Sequence, residues 1–398
     1  MIQLNLSICG DSNQDNSILH KILAEFQDSS PVSTQVEVDP IPWDTYRQEL
    51  TSKVIHNRMG DVSQAGVPVA SDMMAMNALR PFTPQEVEQM GGKAAFVPVA
   101  WQGIEQISEK RVWSIPWMAD PRIFLYWRDL LEQAKIDGKT AFQSTENFKE
   151  ACRRLQVSGV SKPWGITVRY KHSAIHSVAS WVWAHGGDFI SEDGRQALFL
   201  EPPALAGLKA YFGMLPFMAP ESLTADYQAN HQLFVNRQSA VILGNGETAR
   251  YIVNNIPADL RSRLGVALPF GVPLVGGSHL VVWATSQHQP AAVSLVQFLA
   301  GRTAQAGYPA SLDHLPVRLD VLNEPPYSTD PILQGFSEAL QRGRVFPITK
   351  LSGLLEENLG NALVGIWTRL FNDPAANLEE LISSSLAPVA RRYNNWME

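Results

Sequence analysis

The sequence predicts an α/β protein of two lobes, with the chain crossing between them three times. Three observations carry that expectation. The 398 residues exceed what one ordinary hydrophobic core organises. Strand-like and helix-like apolar periods alternate from the N-terminus onward. Extended, proline-bearing segments near residues 116, 270 and 316 interrupt that alternation. They place one lobe at 1–118 plus 275–317 and the other at 119–274 plus 318–398. Lobes interleaved in this way move by hinge bending rather than by tumbling on a linker.

Residues 2–9 alternate apolar and polar, as a half-buried strand does. A turn through Gly10, Asp11, Ser12 and Asn13 follows. Ile18, Leu19, Ile22, Leu23 and Phe26 then recur at helical spacing. Residues 36–38 read as a second strand, 43–55 as a helix, and 60–66 as a third strand ending in a loop at 67–71. This order predicts a mostly parallel sheet with right-handed crossovers, whose ligands sit at the C-terminal strand ends. Asp11, Asn13 and Gln64 stand at such ends, and Trp43 opens the helix after the second strand.

The 112–127 stretch reads as two apolar strands joined through Asp120, Pro121 and Arg122, the first hinge. Helices follow at 129–134 and around Phe148, Cys152 and Leu155, then a strand at 164–168. An aromatic-rich helix at 172–185 ends in Gly186 and Gly187, and another helix covers 204–213. An apolar strand reaching Leu243 feeds a glycine loop at 244–248, and 266–269 is a further short strand. Gly276 and Gly277 enter a strand that ends at Trp283. A helix at 290–300, an extended crossing at 312–318 and a mainly helical remainder complete the chain.

Composition narrows the function. An apolar share of 45% and a charged share of 18% are those of a soluble globular protein. The net charge of -7 argues against nucleic acid or an anionic membrane as partner. No apolar run reaches the roughly 18 residues of a membrane span. Residues 1–10 alternate, so no secretion leader is expected within this sequence. Cys9 and Cys152 are expected as two buried thiols rather than a disulfide. Eleven tryptophans are a surplus that carbohydrate stacking would use, because sugar C–H faces pack on aromatic rings.

Several blocks stand in a telling order. They are 115–122 (Ile-Pro-Trp-Met-Ala-Asp-Pro-Arg) followed by Leu125 and Tyr126, 60–66, 181–188 and 234–244. Leu268-Pro269, Gly276-Gly277, Phe298-Leu299 and 315–318 come after them. Together they resemble the sugar-binding members of the extracellular solute-binding protein family 1, the receptors of ABC importers. The resemblance implies a two-lobed periplasmic-binding-protein-like fold of type II. It implies that a carbohydrate or related polyhydroxylated solute binds in an interlobe cleft and is delivered to an ABC-transporter permease. It further implies a monomer, periplasmic or extracellular, with no catalysis, cofactor or metal. Neither the 244–247 loop nor the 67–71 segment carries the aromatic that many members use for stacking, which points to a smaller or more polar solute.

The candidate ligand residues each have a plainer alternative. Trp117 is a core ring or a stacking ring. Asp120 and Arg122, two apart on an extended chain, share a face. They suit an acceptor and a forked donor for sugar hydroxyls, or else a hinge ion pair worth under about 1 kcal/mol. Trp181 and Trp183 lie about 200° apart on a helix, and Trp181, on the His185 side, is the candidate. Asp188 is a ligand group or a cap, and Trp43 is a cleft ring or a hydrophobic staple. Asp11, Asn13 and Gln64 are ligand groups or turn formers. Glu247, in a glycine loop after an apolar strand, has little structural purpose and reads as a ligand group. Ser278 and His279 follow a glycine pair, Tyr170 follows a strand end, and Arg318 is a ligand group or a tie to loop carbonyls.

Rival motifs fail on context. Gly244-Asn-Gly-Glu-Thr-Ala249 mimics a dinucleotide fingerprint but comes late, with no second strand behind it. His172 and His176 are four apart but lack the glutamate and further ligand of a zinc helix. No nucleophile elbow or phosphate loop is present. A solute-sensing domain of a signalling protein remains the alternative, with a glycoside-processing enzyme behind it, since two acids converging in a cleft would suffice.

Overall fold

The computed structural model describes residues 1–10, 16–105 and 111–397. The chain divides into two compact units. The first comprises Met1–Asp120, Gly276–Asp330 and Ile348–Gly353; the second comprises Pro121–Val275, Pro331–Pro347 and Leu354–Glu398. Residues 318–330 stay with the first unit. Arg318 fastens them there, since its Nη1 donates to the Met90 carbonyl at 2.9 Å.

The strands are β1 (Ile2–Cys9), β2 (Thr34–Ile41), β3 (Val62–Gly66), β4 (Leu79–Arg80), β5 (Ile115–Pro121), β6 (Ile123–Trp127), β7 (Trp164–Gly165), β8 (Val241–Gly244), β9 (Leu264–Ala267), β10 (Val275–Trp283) and β11 (Leu315–Pro316). In the first unit the sheet order is β11-β5-β10-β3-β1-β2, with β4 also on β10. β1 runs parallel to β2 and β3. The helices Ser17–Ser29 and Tyr46–Ile55 make the crossovers. Helix Ser17–Ser29 buries Leu19, Ile22, Leu23 and Phe26, the stripe its sequence spacing gives. Leu4, Leu6 and Ile8 of β1 are fully buried.

The expectation of a mostly parallel sheet holds for those three strands. β10 is antiparallel to β3 and β4, and β11 is antiparallel to β5. Strands that rejoin a unit after a long excursion are not bound by the βαβ crossover rule. A second difference lies at 67–71, where a loop was expected. Helix Val67–Ala75 starts directly after β3, with Pro68 in its first turn, where a missing N–H leaves nothing unpaired. Within β10, Gly277 serves close approach. Gly277 has φ of +145°, and a Cβ there would stand 2.2 Å from the Met118 carbonyl oxygen.

The second unit holds the sheet β7-β8-β6-β9. β6 is buried at every position and runs antiparallel to β8 and β9, with Leu125 opposite Ile242 and Val266. An aromatic core packs on it. Phe124 stacks on Phe148 at 4.9 Å, and Phe148 meets Trp164 and Trp181 edge-on. Trp127 stacks on Phe234 at 5.2 Å, under the Arg237 guanidinium. Cys9 and Cys152 are both buried free thiols, one in each unit. No helix among the described residues is long and apolar enough to cross a membrane.

Candidate ligand-binding site

In the second unit, polar and aromatic side chains gather at the start of helix Lys171–Ala184. Tyr170 occupies the position just before that helix. Asp226 caps helix Tyr227–Val235 by accepting from the Ala229 N–H at 2.7 Å, which sets Tyr227 at the helix's first position. The two tyrosine rings stack, 4.6 Å apart and 14° from parallel. The Arg169 guanidinium lies 5.1 Å from the Tyr170 ring. The Tyr227 hydroxyl is 3.3 Å from His172 Nε2. Burial of that hydroxyl raises its pKa, a Ser173 hydrogen bond and the charge of Arg122 oppose the rise, and Tyr170 and Glu247 add to it. Tyr227 as a whole is 39% exposed, and the His231 ring lies 6.5 Å from its own.

Arg122 sits just before β6, its backbone N–H donating to Leu274 at 2.9 Å. Its Nη2 lies 3.0 Å from His176 Nδ1. A guanidinium only donates, so Nδ1 accepts and the imidazole proton is on Nε2. That Nε2 faces Glu356 Oε1 at 4.0 Å. Arg122, His176 and Glu356 thus form a row of alternating donors and acceptors. The expectation for Glu247 needs correction in one respect. It lies exposed in the first turn of helix Gly246–Asn255, where a carboxylate complements the helix dipole, so it has a structural role after all. Asn245, capping the Thr248 N–H, begins that helix where a glycine loop was expected.

The other two candidates of this unit are structural. Trp181 is 1% exposed and meets Phe270 edge-on at 4.7 Å, so it offers no face to a ligand. Trp183 is buried as well. Asp188 accepts from Trp183 Nε1 at 3.2 Å and from Arg344 Nη2 at 2.7 Å. Arg344 in turn covers the Trp183 ring at 4.7 Å. Asp188 therefore braces the end of its helix.

Among the described residues of the first unit, Trp43 is the exposed aromatic, 58% open and tilted against Tyr46. That exposure removes the staple reading. Asp120 is half-buried near the end of β5. Asp11 and Asn13 lie outside the described residues. The remaining candidates are corrected by burial or, for Arg318, by its partners. Trp117 is fully enclosed and stacks on Tyr308 at 5.0 Å, because β5 is an inner strand. Gln64 is 1% exposed; its Oε1 accepts from the Cys9 N–H and its Nε2 donates to Ser278 Oγ, both at 2.9 Å. One amide thereby ties β1, β3 and β10, which occupies Ser278 too. His279 is enclosed beside Ser114 Oγ at 3.3 Å, and burial pushes its pKa down to about 3. Arg318 chelates Asp320 through Nε and Nη2 and lies over Phe96, the carbonyl-tie reading.

Sequence reading missed Tyr227 and Glu356, and took His172 and His176 only as a failed zinc pair. Asp226 before Tyr227 was a readable helix start, but nothing local marks which ring meets Tyr170. Among the described residues, no three His, Cys, Asp or Glu side chains gather to hold a metal ion.

Residues 10–306 match the bacterial extracellular solute-binding protein family. The chain belongs to that family. A maltotriose-binding protein of Pyrococcus abyssi (strain GE5 / Orsay) is 23% identical over 306 residues, covering 72% of this solute-binding chain and 61% of that relative's own length. Among solved structures, an ABC-transporter solute-binding protein of Thermotoga lettingae bound with α-D-tagatose matches at a TM-score of 0.80. It is 18% identical, with all of both chains covered. The sugar-binding protein MalE of Xanthomonas citri matches at a TM-score of 0.82. It is 17% identical, over 99% of this chain and 97% of that one. The solute-binding chain has the two-lobed α/β periplasmic-binding-protein-like fold.

Proposed function

We propose that this protein binds a carbohydrate or related polyhydroxylated solute and hands it unaltered to the membrane permease of an ABC importer. It works as a monomer on the periplasmic or extracellular side of the membrane. The observation that carries this reading is the face of the second unit where an open, stacked tyrosine pair adjoins the Arg122–His176–Glu356 row. Sugars have apolar C–H faces ringed by hydroxyls. They are held by an aromatic plane together with charge-assisted donors and acceptors. Membership of the solute-binding family, and the sugars named for its relatives, support the same reading.

The test is a thermal-shift screen of the purified protein against mono- and disaccharides, polyols and glycosides, followed by calorimetry on each hit. A ligand that binds only the folded state raises the melting temperature by mass action, about 2.7 kcal/mol at a hundredfold excess over Kd. At least one sugar or polyol is expected to raise it and to be recovered chemically intact. Asp120→Ala is expected to weaken that binding at least about tenfold, the loss of one charge-assisted hydrogen bond. No response across the screen sinks the carbohydrate reading, and turnover of a bound glycoside replaces it with an enzyme.

A further inference from the structure

Resting on the carbohydrate reading, we propose that His176 is a positioning residue: its neutral imidazole holds the Arg122 guanidinium in place for the solute, and its protonation releases that guanidinium, so solute affinity falls in acid.

The bond between the two side chains has one workable proton arrangement. Arg122 Nη2 stands 3.0 Å from His176 Nδ1, and a guanidinium has no acceptor. Nδ1 must therefore offer a lone pair. An imidazolium carries a proton on both nitrogens, so protonation removes the acceptor and sets two cations side by side. The protonated ring has a better partner on its other side, Glu356 Oε1, 4.0 Å from Nε2. The His176 side chain is 26% exposed, so solvent protons reach it.

The frame around the ring is closely set. His176 lies in the second turn of helix Lys171–Ala184. Helix Ser352–Asn372, which carries Glu356, presses on the start of that helix: a Cβ on Gly360 would stand 2.2 Å from the Lys171 carbonyl oxygen. Lys171 Nζ pairs with Glu357 at 3.0 Å, so of the two neighbouring carboxylates Glu356 is the one that faces His176. Arg122 faces the ring from the segment before β6. On the ring's own helix, His172 lies four residues earlier, 3.3 Å from the Tyr227 hydroxyl. The charges of Arg122 and Glu247 both reach that hydroxyl, so the place of the guanidinium bears on the face where the solute is proposed to sit. A histidine ordinarily titrates at about 6.5, and the state that holds Arg122 is the neutral one. Affinity is thus full above the titration of His176 and is lost below it.

Isothermal calorimetry on the full chain at about pH 7.5 and 5.5 tests this, with glucose, galactose, sucrose, trehalose and maltose as probes. The tightest of them is expected to bind the wild type at least about fivefold more weakly at the lower pH. His176→Asn offers an amide oxygen in the place of Nδ1 and does not titrate. It is expected to stay within about threefold of wild type at the higher pH and to lose the acid response. His176→Leu, with no acceptor, is expected to bind at least about fivefold more weakly than wild type at the higher pH. Imidazole nitrogen shifts at the higher pH are expected to place the His176 proton on Nε2. A flat wild-type profile overturns the proposal, as does wild-type affinity in His176→Leu or a proton on Nδ1. An acid response that persists in His176→Asn overturns it too, because another group such as His172 would then be titrating. Should His176→Leu fail to fold, the profile of His176→Asn decides. If none of the five sugars binds the wild type, the carbohydrate reading fails and the solute's part in the proposal with it, while the nitrogen shifts still judge the bond to Arg122.

Discussion

Gln64→Met separates a structural amide from a ligand group. Methionine matches glutamine in length and shape but cannot replace its hydrogen bonds. The substitution strands the Cys9 N–H, which now donates to Gln64 Oε1 at 2.9 Å in a fully buried site. An unpaired buried donor costs about 1–3 kcal/mol. The bond from Nε2 to Ser278 Oγ is lost as well, at about 0.5–1.5 kcal/mol. The sum, about 1.5–4.5 kcal/mol, lowers the melting temperature of a unit of this size by roughly 3–18 °C, at about 2–4 °C per kcal/mol. The assay is thermal and urea unfolding of the unliganded variant, followed by calorimetry with whichever sugar binds the wild type. A fall in stability with affinity nearly intact is expected. An unliganded melting temperature within about 1 °C of wild type, together with lost binding, would refute the structural assignment.

Further expectations concern packing and pH. Gly277→Ala drives a Cβ to 2.2 Å from the Met118 carbonyl at a φ of +145°, and is expected to lower stability by about 2–4 kcal/mol; a wild-type urea midpoint contradicts it. Asp188→Ala removes the partner of Arg344 and of Trp183 Nε1, and is expected to lower unliganded stability by about 1–2 kcal/mol without changing sugar affinity. A selective loss of affinity in calorimetry would return Asp188 to the ligand set. Burial holds His231 down to about 4 and His279 to about 3, from an ordinary 6.5. Both stay neutral in the fold while the unfolded chain takes up protons below 6.5, so their contribution is intact above that value and is lost as pH falls toward 4 and 3. Urea midpoints at about pH 7, 5.5 and 4 should fall in that order, and replacing both histidines with glutamine should flatten the series.

The fold was legible wherever local periodicity and position agree. The stripe from Leu19 to Phe26 marked a helix because burial there repeats with the helical turn. β6 was marked by an unbroken apolar run, the signature of a strand covered on both faces. Sheet direction was not legible for β10 and β11, because pairing between distant segments is set by the path of the chain rather than by any residue in them. The site divides in the same way. Arg122 was singled out because a charged residue interrupts two apolar strands, and Tyr170 because it follows a strand end. Gln64, Trp117 and His279 misled because a polar or aromatic residue at a strand end has the same one-dimensional pattern whether its side chain turns out or in. Tyr227 was invisible because its meaning comes from Tyr170, a partner brought beside it only by folding.

In the first sheet β10 lies between β5 and β3, yet it begins only at Val275. A ribosome that has released residues 1–120 has delivered β1, β2, β3 and β5 without the strand that joins β3 to β5. Those backbones keep bare edges while the next 150 or so residues are synthesised, and bare edges invite pairing with other chains. The same geometry means that a fragment ending at Asp120, made by itself, would clump rather than assemble a smaller working body.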